Sequence, residues 1–211
     1  MPARSGVPLE AWNDLADRYD RQLWLERSAV RAAVDLLAPL PQEQVLDLAT
    51  GTGEVLRQLA SRSARPHAVT AVDQSAGMLA RVGALPAGWS TRRADIRALP
   101  LADGTFDAAV ASYVLHLLAD ADVPTALAEL HRVLRPGGRV ATLTPAVPPR
   151  GPARTLARRL DALAARNPRR YGGLRAFDVR PALTAAGFTI VRARWNLRGY
   201  PTLCVLARCG A

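Results

Sequence analysis

Residues 45–56 limit what the rest of the chain can become. An apolar run, Val45-Leu46-Asp47-Leu48, passes through Ala49-Thr50-Gly51-Thr52-Gly53 and opens into the helical pattern of Glu54-Val55-Leu56. That order reads as strand, tight turn, helix. Glycine at 51 and 53 admits backbone angles closed to other residues and lets a ligand reach the main chain without meeting a Cβ. The helix expected from Glu54 to Arg62 aims unpaired N–H groups at the same place. A β-α-β beginning of this kind builds a parallel sheet whose ligands lie beyond the carboxyl ends of the strands.

The turn also discriminates among ligands. Asp47 sets a negative charge at the strand end, which suits a positive amino group and repels a pyrophosphate. A dinucleotide fingerprint counted from Gly51 needs its third glycine at position 56, where Leu56 stands. A phosphate-binding P-loop needs a lysine, and the chain contains none: every basic side chain is Arg.

What remains resembles motif I of the class I S-adenosylmethionine-dependent methyltransferases, Asp/Glu-x-Gly-x-Gly-x-Gly after the first strand. It stands here as Asp47-Leu48-Ala49-Thr50-Gly51-Thr52-Gly53, with Ala49 in place of the first glycine. The resemblance implies S-adenosylmethionine as cofactor and S-adenosylhomocysteine as product, with Asp47, Ala49, Thr50, Gly51 and Gly53 at the cofactor.

With 211 residues and 22.6 kDa, the chain fits one domain, residues 1–211. No apolar stretch reaches the length of a membrane span, and the N-terminus lacks a signal-peptide core, so a cytoplasmic protein is expected. Cys204, Cys209 and the histidines at 67, 116 and 131 lack metal-site spacing. The net charge of +10 is unevenly spread: residues 1–145 carry 15 Arg and 16 acidic residues, residues 146–211 carry 13 Arg against Asp161 and Asp178. Such a basic third steers an anionic substrate or nucleic acid, or is a solvated face.

Taken in order, Leu9, Trp12, Leu15, Ala16 and Tyr19 have helical spacing, continued by Trp24, Val30 and 34–37, an N-terminal helical cap over residues 1–38. Residues 12–20 resemble the first helix of the quinone-biosynthesis-type group, which makes Tyr19 a cofactor contact or a core residue. A second strand, His67–Val72, ends at Asp73, placed to accept the ribose hydroxyls, with helix capping as the competing role. Gln74 follows it, and Met78 sits where the family packs a side chain on the adenine, or else in the core. A third strand, Trp89–Ala94, runs into Asp95 and Ile96, which by resemblance meet the adenine.

The fourth strand, Phe106–Ser112, should aim Ser112, Tyr113 and His116 at the transferred methyl. Ser112 is assigned to the cofactor; Tyr113 and His116 are the catalytic candidates, His116 as a base or a pocket-lining residue. The Asp/Asn-Pro-Pro-Tyr run of enzymes that methylate amines of DNA bases is absent, which disfavours nucleic acid. An amphipathic helix, Asp122–Leu134, stops at Pro136-Gly137-Gly138 before a strand from Arg139 to Leu143. Residues 145–180 resemble the family's acceptor lid, with a helix near Ala153–Arg166, and Phe188–Leu197 and Pro201–Ala207 alternate as a closing antiparallel hairpin.

The expected fold is α/β: a Rossmann-like seven-stranded, mostly parallel sheet with helices on both faces and a terminal antiparallel hairpin. The function the resemblance implies is methyl transfer to a small-molecule acceptor by a monomer or homodimer, foremost at a hydroxyl, an amine or a carbon being the other acceptor atoms left open, with no metal and no membrane span. RNA or an anionic lipid as acceptor, through the Arg-rich third, and a cofactor-binding member without transfer activity are the alternatives.

Overall fold

A computed structural model describes residues 23–166 and 173–210. The strands are β1 (Gln44–Leu48), β2 (Ala68–Asp73), β3 (Trp89–Arg93), β4 (Phe106–Ser112), β5 (Leu134–Pro145), β6 (Phe188–Asn196) and β7 (Thr202–Cys209). They form one sheet in the order β3-β2-β1-β4-β5-β7-β6. The pairs from β3 to β5 are parallel, and β7 runs antiparallel to both β5 and β6. The expected sheet, with its terminal hairpin, is the one observed.

Central strands buried on both faces need apolar residues at consecutive positions. β4 meets that requirement with Ala108, Ala109, Val110 and Ala111, all buried. On one face lie α1 (Leu23–Leu37) and α2 (Glu54–Ala60), whose Val30, Val34 and Leu59 pack with Val45, Val110 and Leu143. On the other, α4 (Val123–Val133) and α6 (Arg180–Ala185) bring Leu127, Leu130 and Leu183 against Leu46, Val140 and Val205. Each fully buried Leu or Val is worth about 1.5–3 kcal/mol over its exposed state. A one-turn helix, α3 (Ala76–Leu79), and α5 (Pro152–Arg166) complete the described elements.

Two boundaries differ from the sequence reading. The strand expected to start at Arg139 starts at Leu134, which pairs with Phe106 before a register shift restores the ladder at Ala108 opposite Arg139. The Pro136-Gly137-Gly138 run, three residues beyond the end of α4, therefore lies in an irregular strand, with Gly137 at φ +76° and Arg135 paired to Asp107. The helix expected as far as Arg62 closes at Ala60. Of the helical cap expected over residues 1–38, only α1 falls within the described residues.

Candidate functional site

The site is assembled at the carboxyl ends of β1, β2 and β4, the three strands around which the sheet's order reverses. Its floor is the turn after β1. Three alternate positions there are left-handed: Ala49 at φ +55°, Gly51 at +56° and Gly53 at +87°. Ala49 thus adopts a glycine conformation while carrying a Cβ, a strain of about 1–2 kcal/mol. The turn is fastened to β2 by Thr50 N–H, which donates to the Val72 carbonyl at 2.9 Å, and by Gly51 N–H, which donates to Asp73 Oδ2 at 2.8 Å.

Asp73 is buried, and its other oxygen accepts from Ser75 N–H at 2.8 Å. Burial pushes its carboxyl up, opposed by these backbone donors. Capping of α3 falls to Ser75, whose hydroxyl accepts from Met78 N–H at 3.1 Å. Asp73 therefore locks the glycine turn to β2.

Asp47 is fully buried, and among the described residues neither of its oxygens has a hydrogen-bond partner. Burial pushes its carboxyl up to about 7, the nearby Asp73 carboxylate adds to the rise, and Thr50 opposes it. The Thr50 hydroxyl stands close without a hydrogen bond of ordinary geometry. An orphaned buried carboxylate beside a glycine turn is the arrangement a ligand ammonium group would complete.

The remaining predicted cofactor residues divide. Gln74 is half-buried beyond β2, while Met78 and Ile96 are buried, Met78 in α3 and Ile96 after β3. Asp95 is clasped by Arg97, whose Nη2 lies 2.7 Å from Oδ2 and whose Nη1 reaches Asp122 at 2.9 Å. That guanidinium holds the Asp95 carboxyl below its ordinary range, so any contact to an adenine amino group competes with an ion pair the sequence reading did not include. Tyr19 lies outside the described residues.

Ser112 ends β4, half-buried. Tyr113 takes φ +51°, and its hydroxyl shares a 2.7 Å hydrogen bond with Thr202 at the start of β7. Its ring packs into the α1 and α2 face, and burial pushes its hydroxyl far above the ordinary tyrosine range. The expectation of a catalytic Tyr113 is corrected to a tie between β4 and β7, because the left-handed backbone turns the ring into the core.

His116 sits in a short 3₁₀ turn, Leu115–Leu117, buried, with no partner for Nδ1 among the described residues. Burial, then the charge of Arg175, pushes its imidazole down to about 3. Burial thus favours the neutral imidazole, with Nδ1 unpartnered among the described residues. Arg175 explains the turn's position. Its Nε donates to the His116 carbonyl at 2.5 Å and its Nη2 to the Leu118 carbonyl at 3.1 Å. Nη1 pairs with Asp120, and the guanidinium lies 5.0 Å above the Phe177 ring. Sequence reasoning missed both Arg175 and Thr202: one was hidden among many arginines, the other is an ordinary strand threonine.

A family model described as a methyltransferase domain matches residues 45–138, the stretch from β1 through Gly138 in β5. The chain is 36% identical over 150 residues to a demethylmenaquinone methyltransferase of Beutenbergia cavernae, covering 69% of this chain and 60% of that protein. It is 35% identical over 151 residues to a protein of Dinoroseobacter shibae named ubiquinone/menaquinone biosynthesis C-methyltransferase, covering 66% and 59%. The chain thus spans about 60% of the length of these curated relatives. Among solved structures it superposes on an S-adenosylmethionine-dependent methyltransferase from Mesorhizobium loti with a TM-score of 0.63 and 25% identity, over 87% of this chain and 97% of the other.

Proposed function

On the premise that the chain belongs to the class I S-adenosylmethionine-dependent methyltransferases, of the quinone-biosynthesis type, we propose that it moves the sulfonium methyl of that cofactor to a small-molecule acceptor. The observation that carries the reading is the pairing of an orphaned buried carboxylate, Asp47, with the glycine turn locked by Asp73. The first would hold the cofactor's ammonium group and the second its ribose hydroxyls. Met78 and Ile96 would line the adenine pocket, with Gln74 and Asp95 at its polar rim. Ala49, Thr50, Gly51 and Gly53 would pass beneath the nucleoside with their backbone, and Ser112 would close the wall at β4.

A sulfonium leaving group departs neutral, so the protein's main task is alignment and exclusion of water, worth up to about 7–11 kcal/mol in well-oriented systems. For the atom methylated, the burial of His116 supports carbon over oxygen. The hydroxyl oxygen read from the sequence required His116 to take a proton at neutral pH, and an imidazole pushed to about 3 does that poorly. At a carbon of an electron-rich acceptor the C–S bond breaks as the C–C bond forms, and the proton on that carbon leaves afterwards to water, so transfer itself requires no base titrating near neutrality; the relative named a C-methyltransferase favours this order. In this reading His116 accepts a hydrogen bond from the acceptor through Nδ1, and α5 with residues 173–180 covers it, residues 167–172 of the lid expected over 145–180 lying outside the described residues.

Calorimetry with S-adenosylmethionine and S-adenosylhomocysteine tests the cofactor site; binding of neither would end the proposal. Methyl-labelled cofactor offered with a panel of phenols, quinols and enols tests the rest. A label found on carbon by NMR supports the reading, and a label found on oxygen returns the hydroxyl in its place.

A further inference from the structure

All cations of this protein's side chains are arginines, and many of those described in its first two thirds have an acidic partner: Arg97 holds Asp95, Arg132 holds Glu129, Arg139 holds Glu43. α5 breaks that habit. Arg158, Arg159 and Arg166 make no ion pair or hydrogen bond among the described residues, and Arg154 donates only to the Pro149 carbonyl, at 2.8 Å. The helix's one acid, Asp161, is half-buried and accepts from Ala176 N–H at 2.8 Å.

The sequence of α5 adds a second observation. Leu156, Arg159, Leu163 and Arg166 follow one another at intervals of three, four and three, which puts them on one stripe of the helix. Both leucines are exposed, Leu156 at 51% and Leu163 at 43%, while Ala157 and Ala164 face inward and are buried. A stripe of this kind is not built to pair with a second copy of itself, since like charges would meet. A nucleic acid would take the arginines and leave the leucines in water. Anionic lipid takes both: guanidinium groups meet headgroup phosphates while leucine side chains enter the headgroup and acyl boundary.

We infer that the outward stripe of α5 docks the protein on an anionic bilayer surface. The helix follows β5, so it stands at the same end of the sheet as Asp47, Asp73 and His116, and docking there brings that end to the lipid. The inference rests on the helix surface and not on methyl transfer, so each can fail without the other.

The test is co-sedimentation of the full chain with vesicles of phosphatidylcholine alone, or with roughly a third phosphatidylglycerol, at about 0.05–0.5 M salt. The protein should partition onto the anionic vesicles and not the neutral ones, less so as salt rises. Arg159→Gln with Arg166→Gln should lower the partition coefficient about tenfold to thirtyfold. Leu156→Ser with Leu163→Ser should lower it about tenfold while leaving S-adenosylmethionine affinity unchanged, because neither leucine is among the cofactor residues. Failure to bind anionic vesicles overturns the inference, as does equal binding to both compositions or full binding by the leucine pair. Release from vesicles by transfer RNA at a lower phosphate concentration than soluble phosphatidylglycerol would also overturn it, in favour of RNA.

Discussion

Ala49 and Asp47 depart most from what an ordinary residue tolerates. A methyl group at φ +55° costs about 1–2 kcal/mol, and glycine there would relieve it while restoring about 0.4–1 kcal/mol of unfolded-chain entropy. Ala49→Gly should therefore stabilise the protein by about 0.5–1 kcal/mol, a rise of about 1–4 °C in thermal midpoint for a chain of this size. Asp47 makes the second prediction. Its folded-state pKa, about 7, lies above the ordinary value of 3.8, so the native chain holds the proton more tightly than the unfolded one. This carboxyl alone therefore removes stability as pH rises from about 4 to about 7. A cationic cofactor favours its ionised form, so S-adenosylmethionine affinity should rise with pH and be about tenfold weaker near pH 6 than near pH 8, by calorimetry. Asp47→Asn should flatten that dependence. The strand that ends near Asp47 and the left-handed turn at Gly51 and Gly53 were legible because local backbone chemistry dictates them. The orientation of Tyr113 was not, since it depends on a left-handed backbone that no sequence signal announces.

Among elements, the clearest were those whose patterning matches their burial. β4 lies where its apolar run places it, Phe106–Ser112, and α5 occupies the segment expected for the lid helix. The early start of β5 was hidden because proline and two glycines mark a turn in most chains, whereas here they form an irregular part of a strand beside β4, with Arg135 paired to Asp107. The link between the segment 173–179 and the 3₁₀ turn was also invisible, since it depends on one arginine among 13 in the last third choosing two carbonyls, a carboxylate and an aromatic face. Arg175→Gln should free that turn. The expected cost is about 1–3 kcal/mol in stability from the lost charged hydrogen bonds. Trypsin should then cleave α5 several-fold faster, with cofactor affinity little changed because Asp47 and Asp73 are untouched. Unaltered cleavage with unaltered stability would mean the contacts to His116 and Leu118 carry no weight.

Across the whole molecule, α1 and the β6–β7 hairpin meet although they lie far apart in the sequence. α1 precedes the first strand and the β6–β7 hairpin closes the sheet, yet the turn of that hairpin lies on the first turns of α1. Gly199 has φ +84°, and a Cβ placed on it would lie 2.0 Å from the Leu25 carbonyl oxygen. Asn196 donates to the Ser28 hydroxyl at 3.0 Å beside it, and Thr202, three residues beyond, holds the hydroxyl of Tyr113 at the end of β4. The glycine therefore sets how far the hairpin approaches the helix, and through Thr202 it bears on the strand end where methyl transfer is proposed. Gly199→Ala cannot relax by a rotamer change, because the clash is with backbone. It should cost about 2–4 kcal/mol by combining left-handed strain with displacement of the hairpin, lowering the thermal midpoint by about 4–16 °C. Near-UV circular dichroism from Tyr113 and Tyr200 should change with it. Gly104→Ala is the control: it has the same sign of φ, +56°, but open space around its Cβ, so it carries the strain alone and should lose only about 1–2 kcal/mol. Equal losses for the two variants would show that the approach of hairpin to helix contributes nothing, and that the strand end bearing Ser112 and His116 is held from within the sheet alone.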